Sequence, residues 1–313
     1  MRAVVLGGAG FIGSHLVDRL LGAGHEVVAV DSYLTSRREN LAHLEGAPRF
    51  RLVEHDVCRP IPVIGPSAVV FNLASPASPL DYERLPLETL EVGSAGTRNA
   101  LELARAAGAV LVQASTSEVY GDPLEHPQRE TYFGNVNPVG PRACYDESKR
   151  FAEALVTSYS RVHGTKVRIA RIFNTYGPRM RVGDGRVVPA FVTQAIRGED
   201  FTVFGDGTQT RSFCYVDDLV DGLLALWQRG DGLPVNLGNP DEFTLLQLAE
   251  AVRRAAGGGG KVRSVRPLPE NDPRQRRPDI SRARSLLGWE PRVPLDRGLR
   301  PTIEWFRGEL ARP

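Results

Sequence analysis

The apolar residues of the first 172 positions follow two alternating patterns. Short runs of three to six residues, nearly all apolar, are typical of strands buried on both faces of a sheet. Longer stretches between them place apolar residues every three or four positions, which is typical of helices. The predicted strands are residues 2–6, 26–30, 51–53, 69–72, 110–114 and 167–172. Strands that alternate with helices predict an α/β fold with a doubly wound parallel sheet.

The pattern becomes less regular after residue 179. The predicted helices are residues 14–21, 85–107, 145–163, 187–197, 216–227 and 244–256, one that starts at 281 and a last one that starts at 299. We predict that residues 1–178, to which 212–240 return, form a cofactor-binding domain. Residues 179–211 and 241–313 are then expected to form a smaller, mixed α/β substrate-binding domain at the C-terminal side.

Three glycines follow the first predicted strand and precede the first predicted helix. Gly7, Gly10 and Gly13 have the spacing that allows a tight turn, close approach of the backbone to a pyrophosphate, and tight packing of the helix. Phe11 and Ile12 lie in the turn just before that helix, whose free N-terminal amides attract phosphate groups. The order of strand, glycine turn and helix predicts a Rossmann-type dinucleotide site.

The second predicted strand is followed directly by an acidic residue, Asp31. A carboxylate at this distance from the glycines accepts hydrogen bonds from the adenosine ribose hydroxyls and repels a 2′-phosphate. We therefore predict NAD, rather than NADP, as the cofactor. Arg37 and Arg38 lie nearby and argue in the opposite direction, because arginine is the usual partner of that phosphate.

Short polar or small residues follow the third and fourth predicted strands. Loops at the carboxyl ends of parallel strands face the cofactor crevice. We predict that Asp56, Val57 and Ala74 lie near the cofactor, and that Pro76 and Ser78 lie near the substrate. A surface loop stiffened by its prolines is the alternative reading of the second segment.

A phenol and an amine lie one helical turn apart, at Tyr145 and Lys149. An ammonium group beside a phenol lowers the pKa of the phenol, which could then take a proton from a sugar hydroxyl while hydride leaves the same carbon. Only three of the 39 basic residues are lysines, the others being Lys166 and Lys261, so a lysine can mark the need for a compact charge. The pair alone also fits the surface of an ordinary amphipathic helix.

Composition excludes several classes of protein. The formal net charge of the 313 residues is +2, which does not favour nucleic acid or an anionic membrane as a partner. Three cysteines without a CxxC pair favour a reducing compartment, and the six histidines form no metal-binding pair, so we predict no metal. The sequence has neither a signal peptide nor an apolar run of about 18 residues. We therefore expect a cytoplasmic protein.

Nine stretches distributed over the whole chain resemble one branch of the extended short-chain dehydrogenase/reductases. The branch is that of the UDP-glucuronate decarboxylases, also called UDP-xylose synthases. The stretches are GGAGFIGSHL from Gly7, NLASPASP from Asn72, STSEVYGDPLEHPQ from Ser115, NVNPVGPRACYDESKR from Asn135, RIFNTYGPRM from Arg171, DGRVVPAF from Asp184, GDGTQTRSFCYVDDLV from Gly205, NLGNP from Asn236 and RRPDI from Arg276.

This resemblance implies a reaction in which NAD returns to its starting state. NAD would take hydride from C4 of the glucuronate, with Tyr145 as the base, Lys149 lowering its pKa, and Thr116 hydrogen-bonding the same oxygen. The 4-keto sugar would lose carbon dioxide, a step for which the resemblance implicates Glu118 and Arg276. C5 would then be protonated and C4 reduced, giving UDP-xylose.

The resemblance also implies the remaining contacts. Tyr145 and Lys149 would touch the cofactor as well, and the residues expected to bind the UDP-sugar, besides those after the fourth strand, are Glu118, Asn174, Val188, Arg211 and Arg276. Asn174 and Arg211 match positions that hold the UDP pyrophosphate. A homodimer is expected through the helices that contain residues 85 and 145.

Ser117 separates neighbouring activities within the family. Nucleotide-sugar 4,6-dehydratases have an aspartate there to protonate the departing hydroxyl, so dehydration of an NDP-glucose is disfavoured. The 4-epimerases of UDP-glucuronate usually lack the glutamate at 118 and are the nearer alternative. Release of the 4-keto pentose, or a catalytically silent NAD-binding protein, are further alternatives. Leu6, Ser148 and Arg277 depart from the family pattern, and the last two leave the product open.

Overall fold

The structure is a computed structural model, and it describes residues 1–62, 64–267 and 275–312. Within these residues the strands are β1 (Arg2–Leu6), β2 (Glu26–Asp31), β3 (Phe50–Glu54), β4 (Val69–Asn72), β5 (Val110–Thr116), β6 (Val167–Ile172), β7 (Thr175–Tyr176), β8 (Phe201–Phe204), β9 (Thr210–Ser212), β10 (Cys214–Tyr215), β11 (Pro234–Leu237), β12 (Glu242–Thr244) and β13 (Val262–Arg266). Residues 268–274 and 313, part of the predicted second domain, lie outside the described residues.

The helices connect and cover these strands. Within the same residues they are α1 (Phe11–Gly22), α2 (Pro79–Arg84), α3 (Pro86–Glu91), α4 (Thr97–Ala107), α5 (Ala143–His163), α6 (Val187–Arg197), α7 (Val216–Arg229), α8 (Leu245–Ala256) and α9 (Leu295–Leu310). Shorter 3₁₀ segments occur at Arg38–Leu44 and Ser117–Tyr120, and π-helical segments at Val92–Gly96 and Ala283–Leu287. No helix in the described part of the chain is both long and apolar enough to cross a bilayer.

A seven-stranded parallel sheet organises the described residues, in the order β11-β6-β5-β4-β1-β2-β3. The predicted α/β fold with a doubly wound parallel sheet is confirmed. The strand order reverses between β1 and β4, and in such sheets ligands bind outside the carboxyl ends of the strands at that point. The glycine turn after β1 and the loop after β4 both lie there.

The sheet is buried on both faces because its strands are apolar at almost every position. Val5 and Phe71 belong to the core cluster on one face, whereas Val4 and Val70 belong to the cluster on the other. All four side chains are inaccessible to solvent. Burying a side chain of this size stabilises the fold by about 1.5–3 kcal/mol, so the continuous apolar runs of the sequence account for the position of the sheet.

The predicted helix at 85–107 is wrong in detail. The structure divides it into α3, a π-helical segment and α4, and adds α2 before it. Pro79 and Pro86 begin α2 and α3, where a missing N–H costs nothing. A Cβ on Gly93 would lie 2.6 Å from the Cβ of Ser148, so the π-helical segment brings the backbone close to α5. Periodicity alone cannot show such a local change of winding.

Two further differences lie toward the C-terminal side. The last helix begins at Leu295 instead of 299 and accommodates Pro301 in its interior, where the sequence pattern had placed this proline in the first turn. The short strands β7, β9, β10, β11, β12 and β13 were not predicted. β13 is exposed along its whole length, and its five residues, Val-Arg-Ser-Val-Arg, lack the alternation of apolar and polar positions that indicates a strand.

Candidate active site

A cavity of about 860 Å³ lies at the carboxyl ends of the sheet strands. Its charged lining among the described residues is mostly basic: Arg37, Arg142, Lys149, Arg179, Arg181, Arg186, Arg211, Arg266 and Arg276, against Asp81, Glu83, Glu118 and Asp184. The chain as a whole is nearly neutral, with a formal net charge of +2. Basic side chains are therefore concentrated at this cavity, as binding of an anionic ligand requires.

One end of the cavity is the glycine turn, and it fits a dinucleotide. Gly7 has a φ of +76°, and a Cβ there would lie 2.8 Å from the backbone nitrogen of Ala74. A Cβ on Gly13 would lie 2.1 Å from the carbonyl oxygen of Gly7. Side chains would fill the cradle at both positions, so the turn keeps backbone amides open to a pyrophosphate. Gly10, Phe11 and Ile12 line the same end.

Asp31 joins the glycine turn to the loop that follows β2. Its carboxylate accepts hydrogen bonds from the backbone amides of Ala9 and Tyr33, both at 2.9 Å, and from the hydroxyl of Ser36 at 2.7 Å. Ser36 and Arg37 line the cavity beside it. The structure thus places Asp31 directly behind the predicted ribose site, and its contact with a ribose stays a prediction.

The middle of the cavity holds the predicted base. Tyr145 lies in the first turn of α5, and its ring stacks on that of Tyr82, with centroids 5.0 Å apart and planes 13° apart. Lys149 lies one turn further along the same face, with its Nζ 5.7 Å from the centroid of the Tyr145 ring. The Nζ donates a hydrogen bond to the carbonyl of Ala114 at 3.1 Å. The end of β5 therefore fixes the ammonium group beside the phenol.

Burial dominates the protonation of both groups. It raises the pKa of Tyr145 to about 12, and the charge of Glu118 adds to this effect, while a hydrogen bond with Thr116 and the charge of Arg186 lower the pKa. Burial lowers the pKa of Lys149 to about 8. The family resemblance assigns the lowering of the phenol's pKa to Lys149, and the structure adds Arg186 as a second cation that acts in the same direction.

Glu118 is held by two arginines. It lies in the 3₁₀ segment after β5, and both of its carboxylate oxygens accept hydrogen bonds from Arg276, one of them at 2.7 Å. Arg142 donates to the same carboxylate at 2.7 Å. Burial by itself would raise the pKa of Glu118, but the charges of Arg276 and Arg142 outweigh it and hold the pKa well below its usual range. Glu118 is therefore ionised at neutral pH and accepts hydrogen bonds only.

The sequence reasoning did not identify Arg142 or Arg186. Both lie within stretches that carry the family resemblance, three residues before Tyr145 and two residues before Val188. Arg186 lines the cavity and donates two hydrogen bonds to the buried carboxylate of Asp184, one of them at 2.8 Å. An arginine in a loop gives no periodic signal, so only its spacing from the neighbouring motif residues could have identified it.

The other predicted residues divide into two groups. One group lines the cavity together with the residues described above, and it consists of Ser78, Asn174, Val188 and Arg211.

Asp56, Val57, Ala74 and Pro76 lie behind the surface formed by the described lining residues. The Asp56 carboxylate accepts a hydrogen bond from the backbone amide of Cys58 at 2.9 Å, and the Val57 carbonyl accepts one from Asn99, also at 2.9 Å. These contacts fix the loop after β3. The predicted ligand contacts of these four residues stay predictions.

Two of the three departures from the family pattern, Ser148 and Arg277, do not line the cavity. Ser148 is buried against Gly93, and its hydroxyl donates to the carbonyl of Tyr145 at 2.8 Å, so its polar group is satisfied inside the helix. Arg277 lies 3.9 Å from Glu242, on β12. Neither side chain belongs to the described lining of the cavity.

Metal and thiol chemistry have little support here. Among the described residues, no three side chains of His, Cys, Asp or Glu are placed to hold a metal ion. Cys144 adjoins Tyr145, but burial raises the pKa of its thiol, and its Sγ lies 3.5 Å from the carbonyl of Tyr82. The reactive groups of the cavity are thus the phenol, the lysine, the threonine and the arginine-held carboxylate.

The chain is similar in sequence to known enzymes over nearly its whole length. The chain is 53% identical over 314 residues to UDP-glucuronic acid decarboxylase 3 of Arabidopsis thaliana, covering 100% of this chain and 91% of the relative. It is 52% identical over 309 residues to UDP-glucuronic acid decarboxylase 1 of Xenopus tropicalis, covering 99% of this chain and 73% of the relative. Identity at this level over nearly the whole chain extends well beyond the glycine turn.

Solved structures share the fold. A mutant UDP-glucuronic acid 4-epimerase from Bacillus cereus, in complex with UDP-4-deoxy-4-fluoro-glucuronic acid and NAD, matches with a TM-score of 0.88 at 27% identity. The match covers 99% of this chain and 100% of that one. The family model described as NAD dependent epimerase/dehydratase family matches residues 3–238, about three quarters of the chain. The chain therefore belongs to the NAD dependent epimerase/dehydratase family.

Proposed function

We propose that the protein is an NAD-dependent decarboxylase that converts UDP-glucuronate to UDP-xylose through a 4-keto intermediate. The observation that carries this proposal is the ionised Glu118 held by Arg276 and Arg142 beside the phenol of Tyr145. The curated relatives of Arabidopsis thaliana and Xenopus tropicalis that are 52–53% identical to the chain are UDP-glucuronic acid decarboxylases, which supports it.

Tyr145 is the base for the first step. NAD, when bound at the glycine turn, supplies the acceptor for hydride from C4 and later returns it. The phenol takes the proton of the C4 hydroxyl, and its own proton must leave first, which the cations Arg186 and Lys149 favour. The hydroxyl of Thr116 hydrogen-bonds the phenol and keeps it aimed at the substrate oxygen.

The arginine pair serves the second step. A ketone at C4 makes the sugar a β-keto acid, so cleavage of the C5–C6 bond leaves its electron pair delocalised onto the C4 oxygen. Protonated Tyr145 and Thr116 lie where they can donate hydrogen bonds to that oxygen. Arg276 and Arg142 carry two positive charges against the one negative charge of Glu118, and this excess attracts the substrate carboxylate. Glu118 orients both guanidinium groups.

Dehydration does not fit this site. A 4,6-dehydratase needs a neutral acid to protonate the departing C6 hydroxyl. Ser117, at the matching position, is buried and has no carboxyl group. Glu118 is held ionised by two guanidinium groups and is a poor proton donor.

Epimerisation at C4 is the remaining alternative, and the product distinguishes it. We expect purified protein with UDP-glucuronate to release carbon dioxide, to form UDP-xylose, and to leave no net reduced NAD, as measured by mass spectrometry of the product and absorbance of the cofactor. A product of unchanged mass would identify an epimerase and contradict the proposal. Reduced NAD in proportion to product would instead identify release of the 4-keto pentose.

We also propose where the two halves of the substrate lie. Asn174 and Arg211, which both line the cavity, would hold the UDP pyrophosphate, and Val188 would contact the UDP-sugar as well. Residues 1–178 with 212–240 would form the cofactor domain, which the pairing of β11 with β6 supports. Residues 179–211 and 241–313 would form the substrate domain.

A homodimer is proposed from an exposed apolar surface. Leu87 and Leu90 on α3 and Phe151 on α5 are exposed, and these two helices pack against each other. A second copy of the chain could cover this surface by pairing the same helices. We propose a cytoplasmic location as well, on the basis that Cys58, Cys144 and Cys214 are all free thiols.

A further inference from the structure

Two arginines follow β2, and the first of them, Arg37, lines the cavity at the end where the adenosine of a dinucleotide would bind. In the Rossmann fold, an arginine at this point accommodates the 2′-phosphate of NADP, whereas an acid at the end of the strand favours NAD. Here Asp31 ends β2, and Arg37 lines the cavity beside Ser36. The chain thus has both the residue that rejects the phosphate and a residue that would bind it.

Arg37 is paired with a carboxylate from a distant part of the chain. Its Nη1 contacts the carboxylate of Glu309, which lies 272 positions further on, in the last turn of α9. The side chain of Glu309 is only 5% exposed and that of Arg37 is 32% exposed, so this pair is partly withdrawn from solvent. Among the described residues, Glu39 also lies within ion-pair distance of Arg37, and Arg312 within that distance of Glu309, and both are well exposed.

The position of Glu309 is unfavourable for its own helix. The C-terminal end of a helix is negative and favours cations, so an acid in the last turn is destabilising. The partners that offset this cost are Arg37, at the adenosine end of the cavity, and the neighbouring Arg312. A buried carboxylate that opposes its helix dipole needs such partners, which makes the contact with Arg37 more than an ordinary surface pair.

Arg38 offers a contrast. Its guanidinium lies 4.5 Å from the centroid of the Tyr33 ring and contacts Glu54 at the end of β3. Both Arg38 and Glu54 are more than 60% exposed, so solvent screens this pair. Arg38 also does not belong to the described lining of the cavity.

We propose that Glu309 is a cofactor-selectivity residue, which pairs with Arg37 and so prevents this arginine from binding the 2′-phosphate of NADP. Asp31 repels the phosphate, and Glu309 withdraws the cation that would otherwise attract it. The selectivity of the cavity for NAD thus depends on a residue of the last helix as well as on the end of β2. This inference rests on dinucleotide binding by the fold and not on which sugar is the substrate.

The test is the ratio of the dissociation constants for NAD and NADP, measured by calorimetry without sugar. We expect Glu309→Gln to tighten NADP by about tenfold and to change NAD by less than about twofold, because a freed guanidinium gains a phosphate partner only in NADP. Glu309→Asp keeps the negative charge but moves it away from Arg37. This variant should also tighten NADP relative to NAD, but by a smaller factor than Glu309→Gln. It serves as the second variant if Glu309→Gln does not fold.

Two controls identify the partner. Glu54→Gln removes an exposed negative charge that pairs with the neighbouring Arg38 and should leave the ratio within about twofold of that of the unmodified protein. In an Arg37→Ala background, Glu309→Gln should no longer tighten NADP. An unchanged ratio in both Glu309 variants, or a gain that persists without Arg37, would overturn the proposal. Neither result depends on the decarboxylase activity, whose failure would appear in the product assay instead.

Discussion

Tyr145 and Glu118 lie side by side, but their surroundings act on them in opposite directions. Burial keeps the phenol protonated, with a pKa of about 12, whereas two guanidinium groups keep the carboxylate ionised. The phenol can therefore exchange a proton once cations approach it, and the carboxylate cannot. This difference predicts separate roles in the two steps of the proposed reaction.

Tyr145→Phe and Glu118→Gln should fail at different steps. Removing the phenol's hydroxyl should slow C4 oxidation by about 10³-fold and leave NAD affinity unchanged, because the backbone of the glycine turn is intact. Glu118→Gln should still reduce NAD in a single turnover but release carbon dioxide slowly. Stopped-flow absorbance and product mass separate the two steps.

Ser117→Ala, next to Glu118, is the control and should change neither step by more than about threefold. Loss of the same step in both variants would refute the assignment.

The buried Lys149 makes the free energy of unfolding depend on pH. Its pKa is about 8 in the folded protein and near 10.4 when unfolded, so the unfolded state binds more protons between these values and stability rises with pH. Lys149→Met removes this dependence. The variant should exceed the unmodified protein in stability at pH 7, and the difference should shrink by about 2 kcal/mol by pH 10. Urea unfolding of both proteins at pH 7 and pH 10 measures this difference in unfolding free energy. A difference that is the same at both pH values would show that burial does not lower the pKa of Lys149.

At the scale of elements, the position of α5 depends on its contact with the π-helical segment at Val92–Gly96. Gly93 allows the backbone to approach Ser148, one residue before Lys149. A shift of this contact would move Tyr145 and Lys149 together, since both lie on the same helix.

Gly93→Ala should therefore cost about 2 kcal/mol of stability and lower the turnover rate, because the added methyl would overlap Ser148. Adding Ser148→Gly should restore part of both losses, since it removes the Cβ that lies 2.6 Å from the new methyl position. Chemical denaturation and steady-state kinetics on the single and double variants test this coupling. Additive effects of the two substitutions would contradict it.

The elements also show what the sequence could predict. The strands β1 to β6 and the helix α6 were predicted to within two residues, because apolar or periodic runs determine them. The seventh strand of the sheet, β11, was not predicted. The break at Gly93 and the start of α9 were not predicted, because they depend on packing against other parts of the chain. In the site, the spacing of Tyr145 and Lys149 indicated the phenol, whereas Glu118 was implied by the family resemblance. Arg142 and Arg186 were not predicted, because residues outside periodic segments acquire their partners only in the folded chain.

At the scale of the whole molecule, the proposed dimer can be tested by charge. Phe151 on α5 and Val265 on β13 are both 51% exposed. A glutamate at 151 would be buried without a partner in the dimer, so Phe151→Glu should produce monomers, whereas Val265→Glu should not. Sedimentation velocity at matched concentrations distinguishes the two. Dimers in both variants would place the interface elsewhere.

The contact between Arg276 and Glu118 joins residues 158 positions apart, and it bears on how the protein is made. The glycine turn and the pairing of β1 with β2 need only the first 31 residues, so they can form early during translation. Until residue 276 has left the ribosome, the nascent chain holds Glu118 without its bidentate partner, and closing so long a loop is entropically costly. The pair of Glu118 and Arg276 can therefore form only after most of the chain has been synthesised.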